Sequence, residues 1–262
     1  MSEHVPRKRF GQHFLHDPNV LRRIVDAISP APDDRLVEIG PGQGALTAPL
    51  LSRDVSLTAI ELDRDLAPAL GELPGAAGRL SVIEADALTL DYAHLADSLG
   101  GPIRLCGNLP YNISTPLLFH LLAHREHVID MHFMLQKEVV MRMAAPPGSK
   151  TYGRLTVMLG AVCEVEALFH VGPGAFKPPP KVDSSVVRLR IPNQAPVAIE
   201  HPELFAQLVR QAFSMRRKTL RNSLKRLMGA DAIEAAGIDP GARPETLTPA
   251  DYGALTRVAA NP

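Results

Sequence analysis

Short runs of β-branched and other apolar residues recur along the first part of the chain. They fall at 35–39 (R-L-V-E-I), 55–60 (V-S-L-T-A-I), 80–84 (L-S-V-I-E), 103–106 (I-R-L-C) and 129–135 (I-D-M-H-F-M-L). The gaps between them are long enough for helices, and this spacing predicts a parallel sheet with helices on both faces. The runs at 164–171 and 184–191 differ, because they are joined by a short stretch that ends in the proline-rich F-K-P-P-P-K-V-D. With no room for a crossover helix, they are expected to pair antiparallel at one end of the sheet.

After residue 191 the pattern changes. P-N-Q-A-P-V-A-I-E-H-P carries three prolines and reads as a linker. From about residue 203 only helical spacing remains, with Leu204, Leu208, Phe213, Leu220, Leu224 and Leu227 apolar and Gly229 and Gly237 as stops. The expectation is an α/β domain over 1–192, mostly parallel with an antiparallel terminal strand, and a small all-helical domain over 193–262.

Composition narrows the choice of partners. At 262 residues and 45% apolar content the chain can bury a full core. Lys plus Arg total 28 against 28 Asp plus Glu, so any binding to a polyanion must rest on local clusters. Cys106 and Cys163 lie in apolar segments and are too few for a disulfide framework, which fits a reducing, cytoplasmic setting. The first residues, M-S-E-H-V-P-R-K-R-F, lack the apolar core of a signal peptide. No segment has the roughly 18 uninterrupted apolar residues of a membrane span.

The first strand runs into V-E-I-G-P-G-Q-G-A-L-T, with Gly40, Gly42 and Gly44 at alternate positions. Such a loop lets backbone approach a cofactor closely. Glu61 ends the second strand 21 residues after Gly40, where an acid can accept hydrogen bonds from both ribose hydroxyls. Asp86 follows the third strand, where a carboxylate can accept from an adenine amino group. The third glycine comes one residue too early for the dinucleotide fingerprint G-x-G-x-x-G, and no hydride-transfer constellation follows. S-adenosyl-L-methionine, which carries adenosine and an amino acid but no phosphate, suits two such acids better than a nicotinamide dinucleotide does.

At the exit of the fourth strand stands N-L-P-Y, residues 108–111. An adenine amino group is a poor nucleophile because its lone pair is delocalised into the ring. The Asn108 side-chain oxygen and a main-chain carbonyl at Leu109 or Pro110 can accept its two N–H bonds and turn the nitrogen toward a methyl donor. Pro110 fixes the turn. Tyr111 offers a flat face for an extruded base, a task that needs only its ring. His120, His124 and His127 share helical spacing, but no glutamate follows as in H-E-x-x-H, so no metal is expected.

With these residues in place, the chain resembles the ribosomal RNA adenine N6,N6-dimethyltransferases, and among them the type acting on small-subunit RNA. The matching blocks are R-K-R-F-G-Q-H-F-L (7–15), V-E-I-G-P-G-Q-G-A-L-T (37–47), I-E-L-D (60–63), E-A-D-A-L (84–88), G-N-L-P-Y-N-I-S-T-P (107–116), L-Q-K-E-V (135–139), P-G-S-K-T-Y-G-R-L (147–155) and F-K-P-P-P-K-V-D-S-S-V (176–186). The resemblance implies a class I methyltransferase, Rossmann-like sheet. It implies that His13, Leu15, Gly40, Glu61, Asp86 and Asn108 contact S-adenosyl-L-methionine, with Gly42, Leu62 and Ala87 in the same site. It also implies that Phe176 closes the target pocket opposite Tyr111. Position 13 often carries Asn in that family; His13 keeps a polar contact and adds a titratable group. The implied substrate is a pair of adjacent adenosines in the 3′-terminal hairpin loop of 16S RNA, each dimethylated within the assembling 30S subunit.

Three basic clusters are candidates for RNA contact. Residues 212–227 hold Arg216, Arg217, Lys218, Arg221, Lys225 and Arg226 without an acid. Set on one helix, with Phe213, Leu220, Leu224 and Leu227 inward, several of these charges would share a face toward phosphates. Arg7, Lys8 and Arg9 form a second cluster, and Lys150 with Arg154 a third. Each also has the plainer reading of a solvated basic segment. Alternatives within the resemblance are the macrolide-resistance type acting on large-subunit RNA, a mitochondrial transcription-factor relative, and an assembly factor whose binding outweighs its methylation. The protein is expected to act as a monomer.

Overall fold

The structure is a computed structural model and describes residues 13–261. Arg7, Lys8 and Arg9 lie outside the described residues. In chain order the elements begin with β1 (Phe14–Leu15), α1 (Pro18–Ile28), β2 (Leu36–Ile39), α2 (Thr47–Leu51), β3 (Leu57–Glu61), α3 (Ala67–Gly71) and β4 (Leu80–Glu84). There follow α4 (Tyr92–Ser98), β5 (Ile103–Asn108), α5 (Ser114–Ala123), β6 (Val128–Gln136), α6 (Lys137–Met143) and α7 (Arg154–Gly160). The chain ends with β7 (Glu164–Val171), β8 (Phe176–Lys177), β9 (Ser184–Arg190), α8 (Pro202–Ser214), α9 (Leu220–Ser223), α10 (Ala230–Ala235) and α11 (Pro249–Ala260).

Seven strands form one sheet in the order β4-β3-β2-β5-β6-β9-β7. From β4 to β6 the pairings are parallel, and β9 pairs antiparallel with β6. His170 meets Ser184 while Glu166 meets Arg188, the crossing order that antiparallel neighbours give to β7 and β9. The expected architecture is therefore present. Each residue of β2 and β3 is buried, as strands covered on both faces must be. Cys106 and Cys163 are both buried. Among the described residues, no helix is long and apolar enough to cross a membrane.

A two-stranded ladder was not expected. In it β1 pairs antiparallel with β8, Phe14 opposite Lys177 and Leu15 opposite Phe176. Asp17 then caps α1 by accepting from the backbone of Asn19 and Val20, with Pro18 as the first helical residue.

Contacts divide the chain into two units. One takes the residues up to Val140 with Glu166–Arg190; the other takes Met141–Val165 with the residues from Ile191 onward. The second break falls beside the boundary expected after residue 192. Residues 141–165, expected with the sheet, instead cluster with the C-terminal helices. Their anchor is Tyr152, whose hydroxyl donates to the Leu247 carbonyl at 2.6 Å and whose ring lies 6.3 Å from that of Phe213. Within this helical unit α8 contacts both α7 and α11.

At the amino ends of the parallel strands, Arg104 on β5 makes a paired hydrogen bond to Asp130 at 2.9 and 3.0 Å and another to Asp34 at 2.5 Å. His132, two residues along β6 from Asp130, is only 2% exposed. Burial, aided by the nearby Arg104 and Arg188 and partly offset by Asp130, lowers its pKa from 6.5 to about 4. The unfolded chain therefore takes up a proton near pH 6.5 that the folded one refuses until about 4. The associated stability is full above pH 6.5 and is lost as pH falls toward 4, by about 3 kcal/mol. In urea titrations from pH 7 to 4, His132→Leu should escape this loss; parallel profiles for variant and wild type would remove His132 as its source.

Candidate active site

Loops at the carboxyl ends of β2, β3, β4 and β5 enclose a cavity of about 270 Å³. Its wall includes His13, Leu15, Gly40, Gly42, Glu61, Leu62, Asp86 and Ala87, together with Asn108, Leu109, Pro110 and Tyr111. These residues span nearly a hundred positions of sequence. They meet because successive parallel strands deliver their C-terminal loops to one edge of the sheet.

Backbone conformation shapes the floor. At Gly42, φ is +57° and an added Cβ would stand 3.0 Å from the Phe14 ring, so a side chain would be strained and crowd β1. The Gly42 N–H donates to Glu61 Oε2 at 3.0 Å, and the Asp63 N–H donates to Glu61 Oε1 at 2.8 Å. The carboxylate that closes β3 is thus held in place from both sides, with lone pairs to spare. Asp86 is held more lightly: its Oδ1 accepts from the Leu88 N–H at 2.9 Å. Beside Glu61, Leu62 leaves 50% of its surface exposed, an apolar patch at the cavity wall. Two carboxylates, an apolar side chain and a glycine cradle form a donor and acceptor set that fits an adenosine carrying an amino-acid tail.

Asn108 ends β5. Its approach depends on Gly107, where an added Cβ would come 2.3 Å from the Ile39 carbonyl oxygen of the adjacent β2. The Asn108 Nδ2 donates to the His13 carbonyl at 3.0 Å. That bond uses the amide's donor end and leaves Oδ1 to accept. His13 is itself tied down, its Nδ1 donating to the Pro178 carbonyl at 2.9 Å.

Tyr111 is half-buried, with its ring centroid 5.7 Å from that of His13. Its hydroxyl lies 2.6 Å from Ser184 Oγ. The expectation that Tyr111 acts through its ring alone overlooked this bond. Ser184 stands in the quoted V-D-S-S run, but only the fold shows that β9 begins beside the N-L-P-Y turn.

Other expected residues are placed differently. Phe176 is absent from the cavity wall; it is 3% exposed and packs with Leu15 in the core, as its place opposite Leu15 in the β1–β8 ladder requires. His120 donates through Nε2 to the Leu90 carbonyl at 2.8 Å, and its ring lies 5.0 Å from that of His124. The helix expected over the basic run 212–227 is interrupted, since α8 stops at Ser214 and α9 starts at Leu220. Leu220 N–H donates to the Ala242 carbonyl and Arg221 N–H to that of Pro240, so tertiary partners replace the helical ones. Arg216 donates to the Ser149 carbonyl at 3.0 Å and lies 4.0 Å from Glu245. It therefore has a structural partner within its own unit. Arg217, Lys218, Arg221, Lys225, Lys150 and Arg154 are exposed.

A family profile, ribosomal RNA adenine dimethylase, matches residues 3–261. A ribosomal RNA small subunit methyltransferase A from Xanthomonas campestris pv. campestris (strain B100) is 56% identical over 252 residues, covering 96% of this chain and 95% of the relative. Among solved structures, a dimethyladenosine transferase from Plasmodium falciparum superposes with a TM-score of 0.80 at 27% identity, covering 93% of this chain and 96% of that one. The 23S rRNA methyltransferase ErmE gives a TM-score of 0.74 at 28% identity, covering 95% and 100%.

One acid on the cavity wall escaped the sequence reading. Glu38, on β2, is 1% exposed and accepts from Thr47 Oγ1 at 2.7 Å. Burial pushes its carboxyl up to about 7, against the Thr47 bond and with help from the Glu61 charge. Because the folded state holds this proton more tightly than the unfolded chain, stability is full below about pH 4.5 and falls as pH rises through 7. Glu38→Gln should match wild type near pH 5 and exceed it at pH 8 by about 3 kcal/mol in chemical denaturation. A difference that does not change with pH would mean Glu38 is already ionised in the folded protein.

Proposed function

Because the chain belongs to the ribosomal RNA adenine dimethylase family, we propose that it uses S-adenosyl-L-methionine to dimethylate N6 of two adjacent adenosines in the 3′-terminal hairpin loop of 16S RNA. The substrate is the RNA within the immature 30S subunit, the enzyme acts as a cytoplasmic monomer, and the modification accompanies small-subunit biogenesis. The identity of 56% to a small-subunit methyltransferase, against 28% to a large-subunit one, supports this target.

The observation that carries the reading is the orientation of Asn108. With Nδ2 committed to the His13 carbonyl, Oδ1 is the acceptor presented to a target amino group. The Pro110 carbonyl already accepts from Ser114 Oγ and the Ile113 N–H, which leaves the Leu109 carbonyl as the main-chain acceptor of the second amino hydrogen. Two acceptors set this way draw the nitrogen lone pair out of conjugation and aim it. Tyr111 gives the extruded base a surface to stack on. Glu61 takes the ribose hydroxyls and Asp86 the adenine amino group of the cofactor, with Gly40 and Gly42 allowing close approach. When bound, S-adenosyl-L-methionine supplies an electrophilic methyl group on a sulfonium. No general base is needed, since a methylated nitrogen bearing positive charge loses its proton readily to water.

For RNA, exposed Arg217, Lys218, Arg221 and Lys225 remain the proposed phosphate contacts, with Lys150, Arg154 and the basic Arg7, Lys8 and Arg9. Arg216 is withdrawn from that role by its internal partners.

Small subunits from a strain lacking the enzyme, incubated with the protein and labelled cofactor, should gain label in dimethyladenosine of 16S RNA; label confined to 23S RNA would overturn the reading. Glu61→Ala should weaken cofactor binding by about 1.5–3 kcal/mol in calorimetric titration while the melt stays cooperative, its midpoint lowered because the Gly42 and Asp63 N–H groups lose their acceptor. Asn108→Ala should lower the methyl-transfer rate at least about a hundredfold while cofactor affinity moves far less. Reversing Arg217, Lys218 and Arg221 to Glu should spare cofactor affinity and flatten the salt dependence of subunit binding, the log–log slope dropping by roughly 0.7 to 0.9 per lost phosphate contact. Equal slopes would move the RNA contact elsewhere.

A further inference from the structure

The hydroxyl pair formed by Tyr111 and Ser184 lies just outside the cavity and has no part in the chemistry described so far. Ser184 is 0% exposed and opens β9 opposite Gln136 of β6. Its main chain is fixed from two sides, by the β6–β9 ladder and by His170, whose Nδ1 donates to the Ser184 carbonyl at 3.0 Å. The residue before it is fixed as well. The Asp183 carbonyl accepts from the Lys137 N–H at 2.9 Å, and its carboxylate lies 3.7 Å from Lys137 Nζ and 3.6 Å from His170 Nε2. The Ser184 hydroxyl is thus a stationary point, and 2.6 Å away it holds the far end of the Tyr111 side chain.

The geometry points to Ser184 as a positioning residue for base capture: it sets the plane of the Tyr111 ring before the target adenine arrives. This rests on the adenine methyltransferase reading above. An aromatic side chain anchored only at Cβ samples several rotamers, and a stacking base must select one of them and bear the ordering cost. A hydroxyl bond at the opposite end removes that search in advance. Burial raises the Tyr111 pKa, with the Ser184 bond opposing that rise in part, so the phenol stays protonated and available for the bond. Ser184 is not on the cavity wall and its hydroxyl meets Tyr111, so its influence passes through the tyrosine.

The test is a double-mutant cycle on the full chain, with small subunits from a strain lacking the enzyme as substrate. Ser184→Ala should lower kcat by roughly fivefold to tenfold, the range expected for loss of one well-made hydrogen bond. The KM for subunits and the affinity for S-adenosyl-L-methionine should stay within about twofold of wild type. Tyr111→Phe should show the same fall, and the double variant no further fall, because both single changes remove the same bond. A kcat for Ser184→Ala within twofold of wild type, or effects that multiply in the double variant, would overturn the inference. Should Ser184→Ala fail to fold, Tyr111→Phe decides alone, and full activity in it is equally fatal. Wild-type protein that transfers no methyl group to small-subunit adenosines would instead remove the functional reading on which this inference rests.

Discussion

The structure turns on one hydrogen bond, from the Asn108 amide nitrogen to the main-chain carbonyl of His13. A side-chain amide can point either end at a ligand, and only the oxygen end can accept from an adenine amino group. Committing the nitrogen to a carbonyl settles the choice before any ligand enters. The residue type at position 13 matters little to this step, because the acceptor belongs to the backbone.

Much of the fold serves to put that carbonyl in place. The β1–β8 ladder sets Leu15 against Phe176, the backbone N–H of His16 donates to the Ala175 carbonyl, and the His13 ring donates to that of Pro178. Phe14 in turn lies against Gly42, so the same short strand touches the glycine loop. From the sheet side, Gly107 lets β5 run close to the Ile39 carbonyl and brings Asn108 to the same point. The glycine loop, the N-L-P-Y turn and the proline-rich segment therefore share one support, although they come from three separate stretches of sequence.

Much of this could be read from residues alone. Apolar runs such as R-L-V-E-I and I-R-L-C located the buried strands, since burial on both faces demands continuous apolarity, and the strand-then-acid pattern put Glu61 and Asp86 on one edge. What sequence could not show was long-range pairing. Two-residue strands such as β1 carry no periodic signal. The Tyr111–Ser184 contact spans 73 positions, and Tyr152 belongs with the C-terminal helices through ring and hydroxyl contacts that no local pattern announces. The basic run at 212–227 reads as one helix because Lys, Arg and Leu favour that form; backbone bonds to Pro240 and Ala242 override the preference. Nothing in the sequence separates Glu38 from an ordinary strand residue; its depth comes from the fold.

The β1 segment pairs with β8 and not with the seven-stranded sheet, and its His13 carbonyl holds the Asn108 amide. The most direct measurement compares a chain beginning at His13 with one beginning at His16, both lacking Arg7, Lys8 and Arg9, by thermal melting, cofactor titration and methyl transfer to small subunits. Both chains should melt cooperatively, and only the one beginning at His16 should lose cofactor affinity and methyl transfer. Methyl transfer at the longer chain's rate without residues 13–15 would contradict this role for β1.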